Sequence, residues 1–168
     1  INPDTWAGNL YQHRSFNAAA WTLGGNYKLN KNNAVYARYA SGFDFGRRMW
    51  DHWGSRVTDI ELAKLAFSEI GFRHNGDVVS GAITAFRSVN KSVPTAVGFV
   101  NEVVLLDNVA VGVEFQGTVY VSPNFNIGAS GVIMNSKLTG ASGEELGEDA
   151  EAVVGKIATR TPNIQLRL

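Results

Sequence analysis

Apolar and polar residues alternate along much of this chain with a period of two, the signature of a strand whose two faces meet different surroundings. In residues 15–30 one face carries Ala19, Trp21, Leu23, Tyr27 and Leu29, and the other carries Thr22, Asn26 and Lys28. In residues 33–45, Val35, Ala37, Tyr39 and Phe43 oppose Tyr36, Arg38 and Asp44. The cleanest alternation runs from Val109 to Val121, where Val109, Val111, Val113, Phe115, Val119 and Val121 face away from Glu114, Gln116 and Thr118. Residues 125–137 set Phe125, Ile127, Ala129 and Ile133 against Asn126, Ser130 and Ser136. At the end, Ile164, Leu166 and Leu168 oppose Gln165 and Arg167. Two further strands are expected at 66–74 and 77–88, the second rich in Val, Ile, Thr and Phe without a clean division of faces. Upstream of them, Thr58 and Glu61 form a capping-box pattern with Leu62 and Leu65 one turn apart, so a helical turn is expected there, leading into strand.

The connections carry as much information as the strands. Tight turns are expected at Asn30-Lys31-Asn32-Asn33, His74-Asn75-Gly76-Asp77 and Ser122-Pro123-Asn124-Phe125. Asn75-Gly76 is a hairpin signal because both residues tolerate positive φ. Long connections are expected over 44–61, 88–108 and 135–162. Short and long therefore alternate, which places all tight turns at one end of an up-and-down sheet. Outer-membrane barrels have this arrangement. Several segments also exceed the ~5–6 residues usual for soluble strands and reach the ~9–11 needed to cross a bilayer. Trp21, Tyr27, Phe43, Phe72 and Phe125 lie near the ends of the apolar faces, where interfacial aromatics belong. The expected fold is thus all-β, an antiparallel up-and-down transmembrane β-barrel with about seven strands visible.

Composition supports this and removes other classes. Charged residues are 18% of the 168, below the usual ~25%, while glycine is high at 18 residues. Net charge is zero, against the basic excess of nucleic-acid binders, so no nucleic-acid partner is expected. There is no cysteine, which excludes a disulfide frame, a thiol nucleophile and Cys-ligated zinc. The histidines His13, His52 and His74 lack metal-ligand spacing. No hydrolase elbow, zincin motif, P-loop or dinucleotide fingerprint occurs, so neither an enzyme nor a cofactor is expected. Ile1 opens the chain without an initiator Met or signal peptide, and the expectation is a processed product or a piece of something longer.

One family is similar in its order of short motifs. Asn26-Tyr27-Lys28-Leu29 leads through a turn into Val35-Tyr36-Ala37-Arg38-Tyr39-Ala40-Ser41-Gly42-Phe43. Glu69-Ile70-Gly71-Phe72-Arg73 follows, then Ala85-Phe86-Arg87, then Asn108 with Gly112-Val113-Glu114-Phe115-Gln116-Gly117, and last Thr161-Pro162-Asn163-Ile164. In these motifs residues 15 to 168 resemble the middle to late barrel of the TonB-dependent outer-membrane receptors. The resemblance implies a bacterial outer-membrane location and a partial barrel domain over 1–168, with no plug domain or TonB box in view. It also implies import of a scarce nutrient (a ferric siderophore, cobalamin or a glycan), with energy supplied through a TonB complex that parts outside this chain would contact. The family's barrels have about 22 strands. About seven make a fragment of one, since bacterial single-chain barrels use an even number from 8 upward.

Two groups of residues are candidates for function. Arg47, Arg48, Trp50, His52 and Trp53 in the first long loop combine cations with aromatics that stack on anionic or aromatic ligands. Arg38, Glu69, Arg73, Glu114 and Arg167 fall on polar strand faces, where they would line a barrel lumen and pair across strands or contact a plug; pairing is expected ahead of ligand binding. The acidic run Glu144, Glu145, Glu148, Asp149 and Glu151 does not match a calcium loop and reads as a solvated loop. Two alternatives stay open. One is a small complete outer-membrane or porin-like barrel without energy coupling, with an eighth strand in 98–106. The other is a soluble β-barrel binding a ligand in its interior.

Overall fold

The computed structural model describes residues 17–44, 62–97, 102–142, 153–157 and 162–168. Among them the chain forms β1 (Trp21–Lys28), β2 (Asn33–Asp44), β3 (Ala63–Asn75), β4 (Val79–Val97), β5 (Glu102–Ser122), β6 (Phe125–Ser142) and β7 (Ile164–Arg167). They make one sheet in the order β1-β2-β3-β4-β5-β6-β7, every pair antiparallel. The sheet is all-β and up-and-down, as the alternation predicts, and it is open: β1 and β7 are its two edges.

Three expectations are corrected. Residues 88–108 are not a long loop. β4 runs on to Val97, and β5 begins at Glu102. The run Asn90-Lys91-Ser92-Val93-Pro94 looks like a loop because it holds a bulge. The register shifts between Asn90 and Val93, and Ser92 takes φ 56°. Side chains hold the irregularity: Asn90 donates to Asn108 Oδ1 at 2.8 Å, and the Ser92 N–H donates to Asp107 Oδ1 at 2.8 Å. Second, residues 102–106 are the start of β5, paired with β4 at Val93↔Leu106 through Val97↔Glu102, and not a separate eighth strand. Third, β6 continues past Asn135 to Ser142, and Leu138 exchanges hydrogen bonds with Lys156 and Gly155 at 2.9 and 2.8 Å.

The tight turns lie where expected, closed differently. Asn30 Oδ1 accepts from the N–H groups of Asn32 and Asn33, both at 2.9 Å, and from Asn33 Nδ2 at 3.0 Å. The second turn closes further along than the Asn75-Gly76 signal implies. Asn75 is still in β3, neither residue takes positive φ, and the Gly76 N–H donates to Val79 O at 2.9 Å.

Following the register separates two faces across all seven strands. One row reads Tyr27, Val35, Phe72, Ile83, Phe115, Gly131 and Leu166, and the next reads Gly25, Ala37, Ile70, Ala85, Val113, Ile133 and Ile164. The intervening rows are polar or small, such as Arg73, Ala82, Gln116, Ser130 and Arg167. The apolar face is exposed: Leu23 is 72% exposed, Ile70 63% and Leu166 71%. Only Ala63, Gly71 and Ser136 are buried among the described residues, and the register puts all three on the polar face. This sheet has no apolar core of the soluble kind among those residues.

The polar face is knitted by aromatic rings laid over glycines. Tyr36 opposes Gly71, and a Cβ there would fall within 2.6 Å of the ring's Cε1. Phe86 opposes Gly112 in the same way, with 2.8 Å to its Cζ. On the apolar face Phe115 covers Gly131 at 2.7 Å. Each ring leans onto the next strand in sequence, a device that fixes register between twisted strands.

The turns step along the sheet. The pair Lys28↔Ala34 that closes the first hairpin lies level with Arg73, Ala82, Gln116 and Ser130. The second hairpin closes two residues beyond that row at Asn75↔Ser80, and the third five or six residues beyond it at Ser122↔Phe125. A drop of about 19 Å over four strand spacings of about 4.8 Å each corresponds to a lean of about 45° if the turns lie at one level. Closed barrels tilt their strands by about 35–45°.

Candidate functional site on the polar face

The register places Arg38, Glu69, Arg73, Glu114 and Arg167 together on the polar face. Period two brings them there from four different strands, since each occupies a position alternate to an apolar one. Arg38 and Glu69 are directly opposed on β2 and β3, with Arg38 Nε 2.7 Å from Glu69 Oε1. The arginine side chain is 50% exposed and the carboxylate 17%, so the pair is screened on one side and is worth about 0.5–1 kcal/mol. Arg38 also lies over the Phe67 ring, 5.6 Å from its centre, and Phe67 stacks on Phe86 at 6.0 Å.

Arg73 is arranged differently. Its guanidinium lies 5.5 Å over the Tyr36 ring, and the Tyr36 hydroxyl is hydrogen-bonded to Thr84 Oγ1 at 2.5 Å. Among the described residues Arg38 and Glu69 form an ion pair, and Arg73, Arg167 and Glu114 do not. Glu114 is opposed by Thr84 on one side and Val132 on the other. Arg167 is opposed by Ser130.

A cavity of about 640 Å³ opens on this face towards the tight-turn end. Arg73, Ser80, Gln116, Thr118, Ser130 and Arg167 are among its walls. It exists because the row between the two arginines carries small side chains, Ala82 and Ser130, with Gly128 in the row below. The sequence signal for it is weak, because a cross-strand row joins residues nearly a hundred positions apart. The Phe67–Phe86 stack is also hidden in the sequence. Phe86 lies on the polar face and Arg87 on the apolar one, which is why residues 77–88 show no clean alternation.

The loop candidates Arg47, Arg48, Trp50, His52 and Trp53 lie outside the described residues, as does the acidic run from Glu144 to Glu151. His74 Nδ1 is 2.8 Å from Asn33 Oδ1, a strand-to-strand tie. Among the described residues no three of His, Asp and Glu gather as they would to hold a metal. Comparison with family models, with curated proteins and with solved structures finds no match.

Proposed function

We propose that this chain is the barrel portion of an outer-membrane active-transport receptor of the TonB-dependent kind, in which the apolar face meets lipid and the polar face lines the path of an imported nutrient. One observation carries the reading: the large apolar side chains sit on an exposed face. Seventeen large side chains of the apolar face, from Trp21 and Leu23 through Ile70 and Val113 to Leu166, are exposed. Burying a Val, Leu, Ile or Phe stabilises by roughly 1.5–3 kcal/mol, and these are about half exposed. On the order of 15–25 kcal/mol of burial is therefore unclaimed, more than the ~5–15 kcal/mol net stability of a typical domain. A bilayer claims it, and the lean of about 45° matches a membrane strand. In a soluble ligand-binding barrel the apolar face would be the enclosed one.

The finer assignment rests on the motif order from Asn26 to Ile164. Under it, tight turns face the periplasm, and the extended strand ends with the loop carrying Trp50 and Trp53 face outward to capture the ligand. Energy comes through the TonB complex by way of parts outside residues 1–168.

The test is migration on SDS gels with and without boiling, together with intact mass, on protein isolated from its native membrane. A heat-shifted species several times heavier than 18.2 kDa is the expected result. A heat-shifted species of 18.2 kDa would remove the energy-coupled reading in favour of a small barrel. A protein of that mass needing no detergent would remove both.

A further inference from the structure

We infer that the cavity between Arg73 and Arg167 is a binding site for a small polyvalent oxyanion, a phosphate ester or a polycarboxylate, on the polar face. The inference goes beyond the transport reading, since it requires only the geometry of that face. Arg73 and Arg167 stand at the two ends of one cross-strand row, Arg73–Ala82–Gln116–Ser130–Arg167. Both line the same cavity of about 640 Å³, and no Asp or Glu contributes to its walls. Among the described residues neither guanidinium has a carboxylate partner, while Arg38 two residues along the polar face has one.

The chemistry of the walls fits an oxyanion. The Arg73 guanidinium carbon lies 5.5 Å from the centre of the Tyr36 ring, a contact with the π cloud that requires none of its N–H donors. Guanidinium forks match carboxylate and phosphate oxygens in bidentate fashion. Between the forks lie the hydroxyls of Thr118 and Ser130 and the amide of Gln116, which donate to the remaining oxygens; the Ser80 hydroxyl beside them is hydrogen-bonded to Tyr120 at 3.2 Å. The Tyr36–Thr84 hydrogen bond holds the ring under Arg73 and so sets where that fork stands. Four strand spacings, about 19 Å along the sheet, separate the two arginine backbones, which suits an anion with two charged ends better than a single chloride. Glu114 is the nearest acid on the face, on the next polar row above Gln116, and opposes anion binding.

The test is equilibrium binding by isothermal titration to the full chain, in detergent if the protein requires it, with pyrophosphate and succinate as probes and trehalose as the uncharged comparison. Saturable one-to-one binding of at least one anion is expected, with none for trehalose. R73Q and R167Q each weaken it at least tenfold. R73K and R167K retain charge but lose the fork, and weaken it less. E114Q strengthens it, and R87Q, on the opposite face, leaves it within twofold. Strand content by circular dichroism shows whether each variant folds. Pyrophosphate preference assigns a phosphate ligand, and succinate preference a carboxylate one; both support the site. Absence of saturable binding to the native chain, or folded R73Q and R167Q variants that bind as tightly as it does, would overturn it. A detergent-independent protein that still binds through both arginines would sink the transport reading and leave this site standing.

Discussion

Gly71 offers the sharpest test of how this sheet holds its register. The residue is buried beneath Tyr36, whose ring crosses it to reach Thr84. A methyl group at Gly71 would sit 2.5 Å from the Tyr36 hydroxyl oxygen and 2.6 Å from Cε1, closer than real contacts come. The ring must therefore leave. Leaving forfeits the Tyr36–Thr84 hydrogen bond, worth about 1 kcal/mol, and the Arg73 contact, worth about 0.5–1 kcal/mol at an exposed site. G71A is thus expected to cost about 1.5–2 kcal/mol. In a Y36A background the same substitution meets no ring and costs under about 0.5 kcal/mol, because alanine tolerates a strand at least as well as glycine. The coupling between the two sites comes out near 1–2 kcal/mol, inside the range for residues in direct contact. Urea unfolding of the four variants, followed by tryptophan fluorescence in lipid vesicles, measures it. Additive costs, or a G71A change within 0.5 kcal/mol of zero, would refute the ring-over-glycine account.

Other outcomes follow from the same geometry. Replacing Ile83, 51% exposed on the apolar face, by Arg is expected to cost about 2–4 kcal/mol of folding free energy in vesicles; a cost within about 0.5 kcal/mol, as for an ordinary water-facing surface, would contradict lipid contact. E69Q leaves Arg38 half exposed and costs no more than about 1 kcal/mol, and the loss shrinks between low and high salt; urea midpoints at two salt concentrations check both statements. Asn30→Ala removes the acceptor of three hydrogen bonds in the first turn, so the amides of Asn32 and Asn33 exchange faster, by about tenfold for about 1.4 kcal/mol. Unchanged exchange would mean the turn is held by the Leu29–Asn33 backbone bond alone.

The faces were legible in the sequence because each strand separates two surroundings. Val109–Val121 alternates without a fault, and the structure places it near the middle of the sheet. The same logic put Arg38, Glu69, Arg73, Glu114 and Arg167 on one face. Pairing was not legible, because opposition across strands depends on register. Glu69 happens to face Arg38, whereas Glu114 faces Thr84 and Val132. The extension of β4 was hidden by its bulge. One extra residue is absorbed between Asn90 and Val93, where Lys91 and Ser92 stand against Asp107 alone, so the alternation changes phase and polar residues read as a loop. The second turn misled for a related reason: Asn75 pairs with Ser80 and belongs to the ladder, whatever its local preference.

β1 and β7 run in the same direction, because six antiparallel steps separate them. Both are edges, and every residue in them is exposed. In hydrocarbon each unpaired N–H or C=O along such an edge costs several kcal/mol, so an edge of eight residues like β1 cannot stand open in a bilayer. Pairing β7 directly with β1 would make a parallel contact. Keeping every contact antiparallel takes an odd number of further strands between them, which brings the total to the even count that bacterial barrels use. With the tight turns at one level, the lean of about 45° is the tilt that closed barrels have. Amide hydrogen exchange in vesicles decides the matter. If the edge is paired, the outward amides of Trp21–Lys28 exchange as slowly as those of β4 and β5; if they exchange freely while the rest of the sheet is protected, β1 is an open edge and this sheet does not lie in a bilayer.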